Sequence, residues 1–264
     1  MAAALQVAGV THSAARSNPQ ALMIAANAAA DDGQVIELPV EARREIAKFL
    51  GKDVVGNAVA ARVIDDPVRY AGLSENHTLK CKIVHGAAAG ELFDANVSQL
   101  DRQDSQTGWR MDIGPKSWFG EIDANGNLIQ YSSHDKEKGV ISRFSPPHPI
   151  LTRGMRPGDS TKTHIEVTVF DLARPDKEKH AGYLDLTHEY VGAFEVTVPA
   201  GTFEAALISW AYTGKVGPAN ISDEQYFFYA EGVGPVAWIQ RKDISAMLVY
   251  RDTLKEAGVL LERK

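Results

Sequence analysis

The chain has 264 residues, 44% hydrophobic and 23% charged, the balance of a globular protein large enough to bury a sizeable core. A formal net charge of −6 and a pI near 5.8 give no electrostatic case for nucleic acid or an anionic membrane surface. One cysteine excludes an intramolecular disulfide, so cysteine usage does not reveal the redox compartment.

The N-terminus, MAAALQVAGVTHSAARSNPQ, has Ala patches but no basic region and only a weak apolar core, which makes it a poor signal peptide. No run in the chain is apolar enough over sufficient length to span a bilayer as a helix. Gln20–Ala30, before Asp31-Asp32-Gly33, fits either a short helix stopped by Gly33 or flexible chain. The best helix signal is Leu38–Gly51. Pro39 stands near its start, Glu41 lies in its first turn and Gly51 sits past its end. Val40, Ile46, Phe49 and Leu50 recur at near-helical spacing, which predicts one face packed on a sheet. Lys52–Leu73 reads as an extended connector. Residues 1–73 are therefore expected as a helical and extended segment ahead of a β domain at 74–264.

From Glu75 onward strand signals dominate, from His77–His85 through Ala246–Asp252. Trp109, Met111 and Ile113 alternate with Arg110 and Asp112, and Ile165, Val167 and Val169 alternate with His164, Glu166 and Thr168. Leu79, Cys81 and Ile83 alternate with Lys80 and Lys82, which reads Cys81 as a buried, inert thiol. Asp123-Ala-Asn125-Gly126-Asn127 is a hairpin turn. Ser145-Pro146-Pro147-His148-Pro149 predicts a break in the sheet or an edge crossover, and Ala173–Lys179 a solvated loop.

Tyr190–Ile239 carries the clearest pattern: short apolar runs cut by Gly and Pro, as in consecutive antiparallel strands. Val198-Pro199-Ala200-Gly201-Thr202-Phe203 and Tyr229-Ala-Glu-Gly232-Val233-Gly234-Pro235 are turns in which Gly201 and Gly234 are predicted at positive φ. VPAGTF, followed by a strand, a loop and Y-x-x-G-V-G-x-V, resembles a family of bacterial cell-envelope proteins of unknown function with a lipoprotein-localisation (LolA/LolB-like) half-barrel. The likeness spans Tyr190–Arg251, more loosely back to Glu75, and includes Gly154-Met-Arg-Pro157-Gly158-Asp159. It implies a single large curled antiparallel sheet, mostly β, and a place in the periplasm or otherwise outside the cytoplasm; a cytoplasmic protein is the alternative.

A curled sheet has a concave face, and in a half-barrel the helix around Ile46 is the natural cover for its open edges. Inner-facing aromatics would line a groove for an apolar ligand, a lipid or acyl chain; the candidates are Trp109, Met111, Trp118, Trp210, Phe228 and Trp238. The competing expectation is that they fill the core. Few motifs point to chemistry. Asp123-x-Asn125-x-Asn127 lacks the glycine and terminal Glu of a calcium loop. His164-x-Glu166 lacks the Cys-x-x-Cys of a zinc deaminase and reads as an exposed pair. Gly158-Asp159-Ser160 reads as a turn. His188-Glu189 near Asp185 is the one acid/His cluster, with His188 alternating onto the face of Leu184 and Leu186 as a satisfied core histidine. No catalytic residue, metal site or cofactor is expected. The reading is a non-enzymatic binding protein, against a hydrolase with an unrecognised site or an interaction protein that uses a sheet edge.

Overall fold

The computed structural model describes residues 33–101, 107–246 and 250–264; the stretch Gln20–Ala30 and part of the expected last strand lie outside them. Helix α1 (Val40–Leu50) is followed by strand β1 (Val55–Val59) and a single turn of helix, α2 (Pro67–Tyr70). The strands that follow are β2 (His77–His85), β3 (Leu92–Asp101), β4 (Thr107–Ile113), β5 (Lys116–Ile122), β6 (Leu128–Asp135) and β7 (Val140–Leu151). They continue with β8 (Ser160–Asp171), β9 (Arg174–Val198), β10 (Gly201–Val216), β11 (Ala219–Ala230), β12 (Gly234–Ala246) and β13 (Tyr250–Arg263).

From β2 to β13 every strand pairs antiparallel with its successor, and β13 pairs with β2, so the twelve strands close into an up-and-down barrel. This corrects the expected half-barrel. The hinge of the correction is β9, 25 residues long: its first part, through Glu189, pairs with β8, and its end pairs with β1 (Val55 opposite Val196). Full closure satisfies the ladder groups that a half-barrel would leave bare.

α1 does not cap an open edge. It packs on β12, β13, β2 and β1, burying Ala42, Ile46, Phe49 and Leu50, with the Phe49 ring 4.6 Å from that of His85. Val40, expected on the buried stripe, is 71% exposed, and Ala42 takes its place. Gly51 ends the helix at φ 100°. Two further expectations shift. Arg174 already belongs to β9, so the predicted loop is a tight turn leading into an exposed strand start. The Ser145–Pro149 segment does not break β7, but the β7–β8 pairing stops at Ser145, which leaves the prolines with no ladder donor to supply on that side.

An even-stranded antiparallel barrel raises the question of a lipid bilayer. On the outer wall Lys162, His164, Glu166, Asp185, Thr213 and Lys215 lie exposed on neighbouring strands β8, β9 and β10, so this stretch of the wall is polar where a lipid-facing band would be apolar. Among the described residues no helix is long and apolar enough to cross a membrane.

Candidate functional site

Directly opposed residues on neighbouring strands point to the same side of a sheet, so the register sets which side chains meet inside the barrel. On the wall formed by β4 to β7, one level holds Trp109, Gly120, Gln130 and His148 in line. The next holds Met111, Trp118, Ser133 and Ser142, and the one beyond holds Ile113, Lys116, Asp135 and Val140. On the wall formed by β9 to β13, His188, Trp210, Gln225, Gln240 and Glu256 share a level, beside Leu186, Tyr212, Asp223, Lys242 and Leu254. The two walls touch: Tyr212 hydroxyl and His148 Nε2 are hydrogen-bonded, and Trp210 Nε1 donates to the Pro149 carbonyl at 3.1 Å.

The interior is thereby graded along the barrel. One end is apolar. There Trp109, Met111, Trp118, Leu128, Ile150 and Tyr229 line a cleft roofed by Ala71 and Leu73, the segment after α2. The cavity measures about 20 Å³, room for about one water molecule. Gly120 shapes its floor: a Cβ there would sit 2.3 Å from two indole carbons of Trp109, so the ring lies flat on bare strand.

The middle is a polar belt with unusual bookkeeping. Buried polar atoms ordinarily find partners, yet Trp109 Nε1, Trp118 Nε1, Gln130 Oε1, Gln225 Oε1, His148 Nδ1 and both ring nitrogens of His188 have none among the described residues. His188 is fully buried and stacks on Trp210, centroids 5.7 Å apart and planes 7° apart. Burial drives its pKa down to about 4, and that of His148 well below the usual value, so both rings are neutral.

The far end is charged. Buried Lys242 pairs with Asp252 at 3.2 Å. Opposite it on β11, Asp223 accepts from Gln225 Nε2 at 2.8 Å and Gln240 Nε2 at 2.9 Å, and burial pushes its carboxyl up to about 7. Lys116 and Lys138 are shifted below the ordinary lysine range, by burial first and by Lys242 next. Buried Asp135 accepts the Lys138 backbone N–H at 2.9 Å, and Glu256 is raised by burial. None of these was singled out from the sequence, where they look like ordinary surface charges on scattered strands.

Of the six expected lining residues, Trp109, Met111 and Trp118 come together at the cleft. Trp210 and Trp238 lie inside the barrel but elsewhere. Trp210 packs on His188, and Trp238 lies over Gly258, whose added Cβ would meet the ring at 2.0 Å. Phe228 is on the opposite face of β11 from Phe227 and Tyr229, which contact Trp210; it packs edge-on against Phe194 instead. His188 is a core histidine as expected, but its ring nitrogens have no hydrogen-bond partner among the described residues. Asp185 faces out and bonds His164 Nδ1 at 2.7 Å, so the acid/His cluster is divided between two faces of the sheet. His164 also meets Glu166 at 3.2 Å on the wet side, and no cluster of metal-ligating side chains occurs among the described residues. Cys81 is buried, with its thiol raised to about 12.

No protein-family model matches the chain, and no curated protein matches it in sequence. Among solved structures it is similar to a protein of Bacteroides fragilis NCTC 9343, inferred to be exported and having a YmcC-like fold. That match has a TM-score of 0.44 and 14% identity, over 72% of this chain and 96% of that one. It is similar also to an inferred lipoprotein from Parabacteroides distasonis ATCC 8503 (TM-score 0.35, 14% identity, 74% of this chain and 98% of that one). A third is the hypothetical lipoprotein YmcC of Escherichia coli K12 (TM-score 0.36, 10% identity, 72% and 88%). At TM-scores this low, none of the three bears on what this chain does.

Proposed function

We propose that the protein is a non-enzymatic binding protein acting outside the cytoplasm, which takes an apolar ligand into the barrel at its apolar end. The observation that carries this reading is the cleft between Trp109, Met111, Trp118, Leu128, Ile150 and Tyr229, whose walls are apolar and whose roof is a short segment rather than a strand. A preformed apolar surface gains roughly 25 cal/mol for each Å² of ligand removed from water. The resemblance over Tyr190–Arg251 to cell-envelope proteins supports the location. The LolA/LolB-like character belongs to this proposal as an apolar-lined cleft at one end of a closed barrel, with residues 74–264 as the binding unit and the preceding segment as its cover.

A cavity of about 20 Å³ admits a chain only if the roof moves. The roof is held by the burial of Ala71 and Leu73 and by a few polar contacts: Arg69 pairs with Glu231 at 3.2 Å, Gln99 Nε2 donates to the Leu73 carbonyl at 2.8 Å, and Gly232 N–H donates to the Arg69 carbonyl at 2.9 Å. The first of these pairs is exposed on the Arg69 side and worth little. Displacement of Ala71–Leu73 therefore breaks these contacts and also exposes the buried Ala71 and Leu73 side chains.

An enzymatic reading would look to the charged end, where ionisable groups converge. There Lys242 is paired with Asp252 and Asp223 is held by two glutamines, which supports an internal ion network instead. The test is displacement of an environment-sensitive hydrophobic dye by 1-octanol. Stoichiometric dye binding, competed by the alcohol and lost in Trp109→Glu, is the expected result. A folded protein that binds neither would overturn the proposal.

A further inference from the structure

The belt beneath the cleft bears on what kind of apolar molecule fits, an inference that rests on the function proposed above. Trp109 and Trp118 are both cleft-lining residues, each 6% exposed, and each carries an indole N–H with no acceptor among the described residues. They sit on adjacent strands β4 and β5, at neighbouring inward levels, since Trp109 opposes Gly120 while Met111 opposes Trp118. Gly120 holds the Trp109 ring flat, because any side chain there would collide with it. One inward position deeper than Leu128, Gln130 donates its Nε2 to the Ser132 carbonyl at 3.2 Å and leaves Oε1 unpaired. A wholly apolar ligand would leave two buried donors and an acceptor unpaired, each at the full cost of its desolvation.

We propose that the cleft is a site for an apolar chain ended by a hydroxyl group, whose oxygen accepts from the indole N–H groups of Trp109 and Trp118 and whose proton is directed toward Gln130 Oε1. The hydroxyl group has both capacities in one atom, and its oxygen is the size of the water the cavity can hold. A thiol offers the same chain with a weak acceptor and a weak donor.

The test compares 1-octanol with 1-octanethiol on the full chain, by dye competition, in the wild type and in Trp109→Phe and Trp118→Phe. The Phe variants keep an aromatic ring but remove the N–H together with the rest of the pyrrole ring, so the thiol serves as the measure of the packing lost. In each variant octanol affinity is expected to fall about 3- to 10-fold further than octanethiol affinity, the range of one net hydrogen bond beyond the packing loss that both probes share. The wild type alone should also prefer the alcohol, although the thiol is the more hydrophobic, so the comparison stands even if a variant fails to fold. Equal losses for both probes, or a wild-type preference for the thiol, would overturn the hydroxyl site while leaving an apolar binding protein intact. No binding of either probe would remove both.

Discussion

Gly120→Ala is the sharpest single perturbation of the barrel interior. An added Cβ would stand 2.1 Å from the Ile129 carbonyl oxygen and 2.3 Å from two carbons of the Trp109 indole. Ordinary contact between carbons is about 3.5–4.0 Å, so the overlap exceeds roughly 1 Å on two sides. The Ile129 carbonyl is backbone of the adjacent strand β6 and cannot retreat alone. The indole must tilt into the cleft or the strands must part at the bulge between Phe119 and Gly120. Overpacking of this kind costs about 1–3 kcal/mol, and the backbone neighbour places it toward the upper end. Urea unfolding followed by tryptophan fluorescence should show a lower midpoint at unchanged slope, and near-UV circular dichroism should change with the indole's new setting. Gly139→Ala serves as control. It lies at φ 62° with nothing within 4 Å of an added Cβ, so it carries backbone strain without touching a tryptophan. If Gly120→Ala unfolds at the wild-type midpoint with an unchanged near-UV spectrum, Trp109 does not lie over β5 and the alignment of the inner levels is wrong.

Other outcomes follow from the same packing. Gly201 and Gly234 have φ of 139° and 103°, but an added Cβ at Gly234 would lie 2.9 Å from the Ala71 carbonyl oxygen, whereas at Gly201 it meets only the Phe203 ring at 3.5 Å. Replacement by Val should therefore lower the melting temperature at both and more at Gly234; equal shifts would contradict the contact with the roof segment. Asp223, raised by burial to about 7, favours folding when protonated: that contribution is complete below the unfolded value near pH 4 and is lost as pH rises to about 7. Asp223→Asn should accordingly gain stability relative to wild type across that window, and a difference that does not vary with pH would refute the burial. His188 is depressed to about 4, so its contribution is present above about pH 6.5 and lost as pH falls toward 4. His188→Phe keeps a ring on Trp210 and removes two unpartnered nitrogens; its melting temperature should equal or exceed wild type, with the larger advantage at pH 5. Phe228→Glu should destabilise the fold without a specific effect on the cleft, since Phe228 packs on Phe194.

Local features of this fold are legible in the residues themselves. The alternation in His77–His85 and Ser160–Asp171, the Asp123–Asn127 turn, the glycines at positions 201 and 234 and the helix over 40–50 all follow from neighbours in the chain. Closure is different in kind. Whether the sheet stays open or joins β13 to β2 depends on pairing between residues such as Leu79 and Arg263, which no local pattern encodes. The same holds for the site. Trp109 and Trp118 stand out as aromatic residues near the concave face, but Phe228 looks equivalent in sequence. Only the bulge and register of β9 to β12 put it on the other side. Lys116, Asp135, Lys242 and Asp252 read as solvated charges because a lysine or aspartate gives no sign of which inward position it will share; their convergence is a property of strand register alone.

The most direct measurement of the central claim is a titration of ¹⁵N-labelled protein with 1-octanol, observed at the indole N–H resonances of the four tryptophans. Binding at the cleft predicts large shifts for Trp109 and Trp118, whose N–H groups gain an acceptor, and little change for Trp210, which already donates to the Pro149 carbonyl. Shifts confined to Trp210 and Trp238, or four resonances unmoved at saturating alcohol, would contradict ligand binding at this end of the barrel.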